Sequence, residues 1–227
     1  MKSIDFLVQC NGDATVSIEY DGTLSLEGYD QRFDRASQEF GYEPTTCHKI
    51  IEEWERGWYF KVIAEHYLRF VGSRGLAGAM VAMAEHAGKL VMDNDLFDNA
   101  KQTQPRPFWQ HGQAIHSLKN YAKTGNKMPD TVIDGYRNNV QLAANQFFAA
   151  NDYAGCNYSD ALTNAMLWLK NAEHRDPDSG DFWNFTEFLT HAVQRVGAPG
   201  IDIESEKLWQ LQCFIDIAKP VRRRRKV

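Results

Sequence analysis

Apolar and polar residues alternate with period two along the first part of the chain. Val16 and Ile18 alternate with Thr15, Ser17 and Glu19, and Leu24 and Leu26 with Thr23, Ser25 and Glu27. This is the signature of strands with one dry and one wet face. The segments "IDFLVQ", "ATVSIEY" and "TLSLEG" are separated by "CNGD" and "YDG", whose Asn-Gly and Asp-Gly pairs accept the positive φ of tight turns. An antiparallel β meander is predicted.

From Tyr29 the period lengthens. "YDQRFDRASQEFG" reads as a short amphipathic helix. After Pro44, "TTCHKIIEEWERG" places Cys47, Ile50, Ile51 and Trp54 on one face, with Gly57 as the stop. These two helices are expected to cover the dry face of the meander. Beyond Gly57 every apolar stripe is helical: Phe60, Ile63, Tyr67 and Phe70; Leu76, Met80, Met83, Ala87 and Leu90; Phe108, His111, Ile115, Leu118 and Ala122; Val132, Tyr136, Val140, Ala143 and Phe147. Further stripes are Leu162, Ala165, Met166 and Leu169; Phe182, Phe185, Leu189, Ala192 and Val196; and Leu208, Leu211, Ile215 and Ala218. Asp130, Asn157 or Ser159, Ser179 or Asp181, and Asp202 are the expected cap or first-turn residues.

The predicted class is therefore α+β: an N-terminal antiparallel β meander with two short helices, then a predominantly α-helical domain of about seven helices. The expected division is a module over residues 1–57, a helical domain over 58–218 and a basic tail over 219–227. "AEHYLRFV" at 64–71 echoes "AEHAGKLV" at 84–91, and i,i+4 pairing of Glu65 with Arg69 and of Glu85 with Lys89 accounts for the likeness.

Composition sharpens this picture. With 43% hydrophobic and 24% charged residues the chain can bury a core, which excludes a wholly disordered protein. The net charge is −5, yet Arg222, Arg223, Arg224, Arg225 and Lys226 are consecutive; without them 20 Lys and Arg face 30 Asp and Glu, so the body stands at −10. An acidic body disfavours a phosphate-tracking groove, whereas the basic run fits an electrostatic arm. Cys10, Cys47, Cys156 and Cys213 are widely spaced and are expected to be reduced thiols. No apolar run approaches the roughly 18 residues of a membrane span, and the N-terminus lacks a secretory pattern, so a cytoplasmic, non-membrane protein is expected.

The familiar catalytic signatures HExxH, GxSxG and the P-loop are absent. His66 and His86 follow glutamates, but successive helical side chains diverge, so neither pair is a preset dyad. His111 and His116 sit about 140° apart around a helix, which is poor for shared metal ligation; His111 on its apolar stripe reads as a core residue. "DPDSGDFWNFTE" matches a calcium loop at Asp176, Asp178 and Glu187 but carries Gly180 where a ligand is needed and Asp181 where the turn needs glycine. Asp93, Asp95 and Asp98 read as capping residues, and Gly72, Gly75 and Gly78 as a helix–helix corner without the strand that an anion loop requires. No cofactor or metal is expected.

In "QTQPRPFWQHG" the prolines hold Arg106 extended ahead of Trp109, a pairing of residue types enriched at interfaces. Arg106, Trp109 and the run Arg222 to Lys226 are the candidate partner-binding residues. The leading expectation is a non-catalytic protein-binding protein. Its narrower form is a phage- or plasmid-type inhibitor or accessory factor, an anti-CRISPR-like antagonist occupying a subunit surface of a host nucleic-acid-targeting defence complex by charge complementarity. Two alternatives stand beside it: a nucleic-acid-binding accessory protein using the tail, and a hydrolase whose histidine and carboxylate site is assembled only in the fold.

Overall fold

In the computed structural model the period-two segments form a three-stranded antiparallel sheet of order β1-β2-β3, with β1 Ser3–Cys10, β2 Gly12–Glu19 and β3 Leu24–Glu27. The structure describes residues 2–10, 12–32, 35, 39–40, 43–92, 108–172, 179–197 and 200–218, and the side chains of Phe108, Trp109 and Ser179 are outside that description. Of the first predicted helix, residues 33, 34, 36–38 and 41 are likewise outside it, while Gln31, Arg32, Arg35 and Glu39 are helical.

The register pairs Phe6 with Val16 and Ile4 with Ile18, so the apolar members of the alternation share one face. Ile4, Phe6, Val8, Ala14, Val16 and Ile18 are buried, while Leu7, which breaks the alternation, points to solvent at 59% exposure. Gly22 turns β2 into β3 at φ +85°, a left-handed conformation that its missing Cβ allows.

Helix α1 (Thr46–Glu55) covers the dry face with Cys47, Ile50 and Trp54, capped by the Thr45 hydroxyl, which accepts from the His48 amide, and stopped by Gly57 at φ +74°. Its first turn lies against the end of β1, and Cys10 and Cys47 are joined in a disulfide across a Cα separation of 6.0 Å. The expectation of four reduced thiols is corrected accordingly, and with it goes one support of a cytoplasmic setting. Nothing local in the sequence marks the pair, because the two cysteines stand 37 residues apart and meet only when α1 docks.

The helical part begins with α2 (Tyr59–Val62), which runs on through a π turn at Ile63–Tyr67 and a 3-10 turn at Leu68–Phe70. It continues with α3 (Ser73–Met92), α4 (Phe108–Thr124), α5 (Asp130–Ala149), α6 (Tyr153–Asn171), α7 (Ser179–Val196) and α8 (Ile203–Ile217). With α2 and its continuation taken as one, seven helices follow Gly57 among the described residues. Among the described side chains the apolar stripes face inward as the spacing predicts, and one contiguous core extends from Ile4 on the sheet to Ala218 after α8. Where α2, α7 and α8 converge, Phe60, Phe182 and Phe214 meet with ring centroids 5.8–6.4 Å apart, within the range of favourable aromatic pairs.

Several local expectations change. Helix α6 starts at Tyr153 under an Asp152 cap whose side chain accepts from the Gly155 amide, so Asn157 and Ser159 lie inside the helix. Glu85 pairs with Lys119 of α4, and Arg69 donates to the Leu7 carbonyl at the edge of β1, in place of the expected i,i+4 pairs. The glycine-rich stretch forms the corner read from the sequence. Arg74 donates to the Ala122 and Lys123 carbonyls at the end of α4, and a Cβ on Gly78 would stand 3.1 Å from Ile217 of α8.

Candidate functional site

Strand β3 ends the sheet, and no strand lies beyond it among the described residues. Leu24 and Leu26 stand opposite Ile18 and Val16, so both lie on the dry face, but they are only half-buried, their outer flank being open among the described residues. Across that opening stands α1 with Ile51 and Trp54. The Trp54 indole donates to the Gly22 carbonyl at 2.9 Å, which fixes the ring as a wall.

The gap is a hollow of about 410 Å³ lined by Gly22, Leu24, Leu26, Tyr29, Gln31, Ile51, Trp54 and Glu55. A second hollow of about 340 Å³ shares Tyr29, Gln31, Ile51 and Glu55 and extends the groove to Arg35, His48 and Glu52. The floor is aliphatic and aromatic while the rim is charged, a combination typical of recognition grooves. His48 lies 3.5 Å from Glu52, and Glu55 is exposed. The chain from residue 12 to residue 30, which carries β2 and β3, holds Asp13, Glu19, Asp21, Glu27 and Asp30 without one lysine or arginine. Of these, Glu27 belongs to β3 at the groove's edge, while Asp30 is paired with Arg32 at 3.8 Å.

Among the described residues the histidines do not converge on a site. His111 is fully buried in α4, stacked 6.0 Å from Phe147 and edge-on to Tyr158, with Nε2 2.8 Å from the Ser159 hydroxyl. That hydroxyl donates to the Gly155 carbonyl at 2.8 Å, and its single proton is thereby used, so the imidazole donates to the serine rather than activating it. Burial pushes the His111 imidazole down to about 4, which holds it neutral. The sequence reading of His111 as a core residue matches this placement. His116 is exposed one and a half turns away.

His86 stacks on Trp209 at 3.8 Å and lies 3.3 Å from Glu206, whose other oxygen accepts from the Gln210 amide at 2.8 Å. Burial pushes the Glu206 carboxyl above its ordinary value, opposed by the hydrogen bond from Gln210 and by His86. Gln210 continues to the Thr190 hydroxyl, and Lys207 reaches the Gly57 carbonyl at 3.0 Å. This polar stripe on α8 was not singled out in the sequence, where only Leu208, Leu211, Ile215, Ala218 and the Asp202 cap were read. It ties α8 to α3, to α7 and to the end of α1 rather than opening to a ligand. Among the described residues no group of three or more His, Cys, Asp or Glu could hold a metal ion, and no helix is long and apolar enough to cross a membrane.

Of the residues singled out for partner binding, Arg106 and the run Arg222, Arg223, Arg224, Arg225 and Lys226 lie outside the described residues. Trp109 is placed only by its backbone in the first turn of α4. Asp93, Asp95, Asp98, Asp176 and Asp178 also lie outside. The groove beside β3 uses residues that the sequence had assigned to secondary structure alone; the signal that could have found it is the run of carboxylates around the "YDG" turn. No protein-family model, curated protein or solved structure matches this chain.

Proposed function

We propose that the protein is a non-catalytic binding protein that receives a protein partner in the groove between β3 and α1. The observation that carries this reading is the sheet edge, open among the described residues, where Leu24 and Leu26 are half-buried over a hollow of about 410 Å³ walled by Ile51 and Trp54. A soluble surface rarely leaves such an apolar strip uncovered beside free strand edge without using it. His111, on its apolar stripe, is buried and neutral, which favours binding over the hydrolase alternative. The anionic hairpin disfavours nucleic acid at this surface, since phosphate contacts require cations.

The narrower reading, an inhibitor of a host nucleic-acid-targeting defence complex, has the acidic balance of the body as its support, because basic subunit surfaces would accept it. Paired affinity purification tests the proposal, with the wild-type chain and the Ile51→Glu variant as baits. A partner that is held by the wild type, lost by the variant and rebound as a purified component supports it. Partners retained equally by both baits overturn it, as does a wild-type bait that holds none.

A further inference from the structure

We infer that the partner enters this groove as an extended, basic segment that pairs with β3 as a fourth strand. The inference rests on the groove being the docking surface and adds how it is occupied. The first observation is backbone polarity. The Glu19 amide donates to the Thr23 carbonyl at 2.8 Å, and the register then runs Ile18 with Leu24, Ser17 with Ser25 and Val16 with Leu26. Antiparallel pairs alternate between bonded and non-bonded positions, so with Thr23 bonded inward, Leu24 and Leu26 turn their N–H and C=O groups away from β2. Two donors and two acceptors therefore face the open flank, spaced as an incoming strand requires.

The second observation is side-chain geometry. A strand about 4.8 Å beyond β3 would continue the dry face past Leu24 and Leu26, and every second side chain would drop toward Tyr29 and Ile51. Alternate apolar residues in the segment match that floor. The intervening residues would face outward on the wet side, level with Ser25 and Glu27.

The third observation is charge. Asp13, Glu19, Asp21 and Glu27 lie on the hairpin with no cation among them, Asp30 beyond it pairs with Arg32 at 3.8 Å, and Glu52 and Glu55 stand on the helical bank with Arg35 and His48. Lysines or arginines in the outward register meet this field favourably. The same field opposes a second copy of the chain, because pairing β3 with β3 would bring the two acidic hairpins together.

Ten-residue synthetic peptides alternating Lys or Arg with Leu or Val provide the probe, against counterparts with Glu in place of each cation and against a basic peptide N-methylated on the residues facing β3. Titration into the full chain is read by fluorescence anisotropy, with amide exchange followed by NMR. Binding of the basic peptide about tenfold tighter than the acidic one is expected, with a similar loss on N-methylation. The amides of Leu24 and Leu26 should gain protection in the complex. The Glu27→Lys and Glu55→Lys variants keep the fold, since both sites are exposed, and should reverse the charge preference.

Equal binding of basic and acidic peptides overturns the inference, as does binding that leaves both amides unprotected. Concentration-dependent dimerisation with protection of β3 assigns the edge to a second copy and also overturns it. If no peptide binds while the Ile51→Glu bait still loses its partner, strand addition fails and the docking groove stands.

Discussion

Gly88 of α3 and Gly135 of α5 are both interior helical glycines, yet their substitution by alanine should have opposite effects. A Cβ on Gly88 would stand 2.8 Å from Cζ of Tyr158, a buried ring whose hydroxyl donates to the Ala84 carbonyl at 3.0 Å. The ring cannot swing aside without breaking that bond. Gly88→Ala is therefore expected to cost about 1–3 kcal/mol, outweighing the gain in helix propensity of about 1 kcal/mol. At Gly135 nothing among the described residues lies within 4 Å of the added Cβ, so the propensity gain should appear alone. Urea denaturation of the two variants checks the pair.

His111 gives a pH signature. Its imidazole titrates near 6.5 when free and is pushed down to about 4 by burial. The folded chain thus resists a proton that the unfolded chain accepts. The contribution is whole above pH 6.5 and is lost as pH falls toward 4, amounting to about 3 kcal/mol in full. His111→Gln keeps a donor for Ser159 and removes the titration. Between pH 6.5 and 5, before most carboxylates take protons, the wild type should lose more stability than the variant in denaturant titrations. The core position of His111 was legible from its stripe; its bond to Ser159 was not, since α6 comes from 48 residues away.

At the scale of elements, the Cys10–Cys47 bond closes a loop of 37 residues that contains β2, β3 and the start of α1. Chain-entropy arguments put such a closure at about 2–4 kcal/mol. Non-reducing peptide mapping should recover Cys10 linked to Cys47. Cys156 and Cys213 should alkylate slowly at neutral pH, because burial first and neighbouring carboxylates second push both thiols up to about 11. The Cys10→Ser/Cys47→Ser variant should show a lower denaturation midpoint than the oxidised wild type, and no further loss when reductant is added.

Helix and strand positions were legible because one buried face imposes its period on the sequence. Helix α8 departs from this. Leu211, Ile215 and Ala218 are buried as their spacing predicts, yet Glu206, Lys207 and Gln210 are buried too, since α8 is wedged among α2, α3 and α7. A second buried face made of polar residues has no hydrophobic period to betray it. Its partners are the Gly57 carbonyl, Thr190 and His86, all supplied by other elements.

For the whole molecule, a core continuous from the sheet to α8 implies that the N-terminal residues and the helices unfold together. Trp54 packs against Tyr59 with ring centroids 4.5 Å apart, and Phe6 against Tyr67 at 5.7 Å, so ring contacts cross the expected boundary at residue 57. Thermal unfolding followed by far-UV circular dichroism and by tryptophan fluorescence should give coincident transitions, and two separated transitions would show independent units.

The sequence by itself determined the α+β class, the order of the elements and the side that each turns inward, because these follow from local period, turn chemistry and the drive to remove apolar surface from water. Which cysteines meet, which way the His111 proton points, and where a strand edge left open among the described residues faces a helix across a groove were decided only in the tertiary structure. Each depends on residues distant in the chain arriving within bonding or packing distance, and no local periodicity records such an encounter.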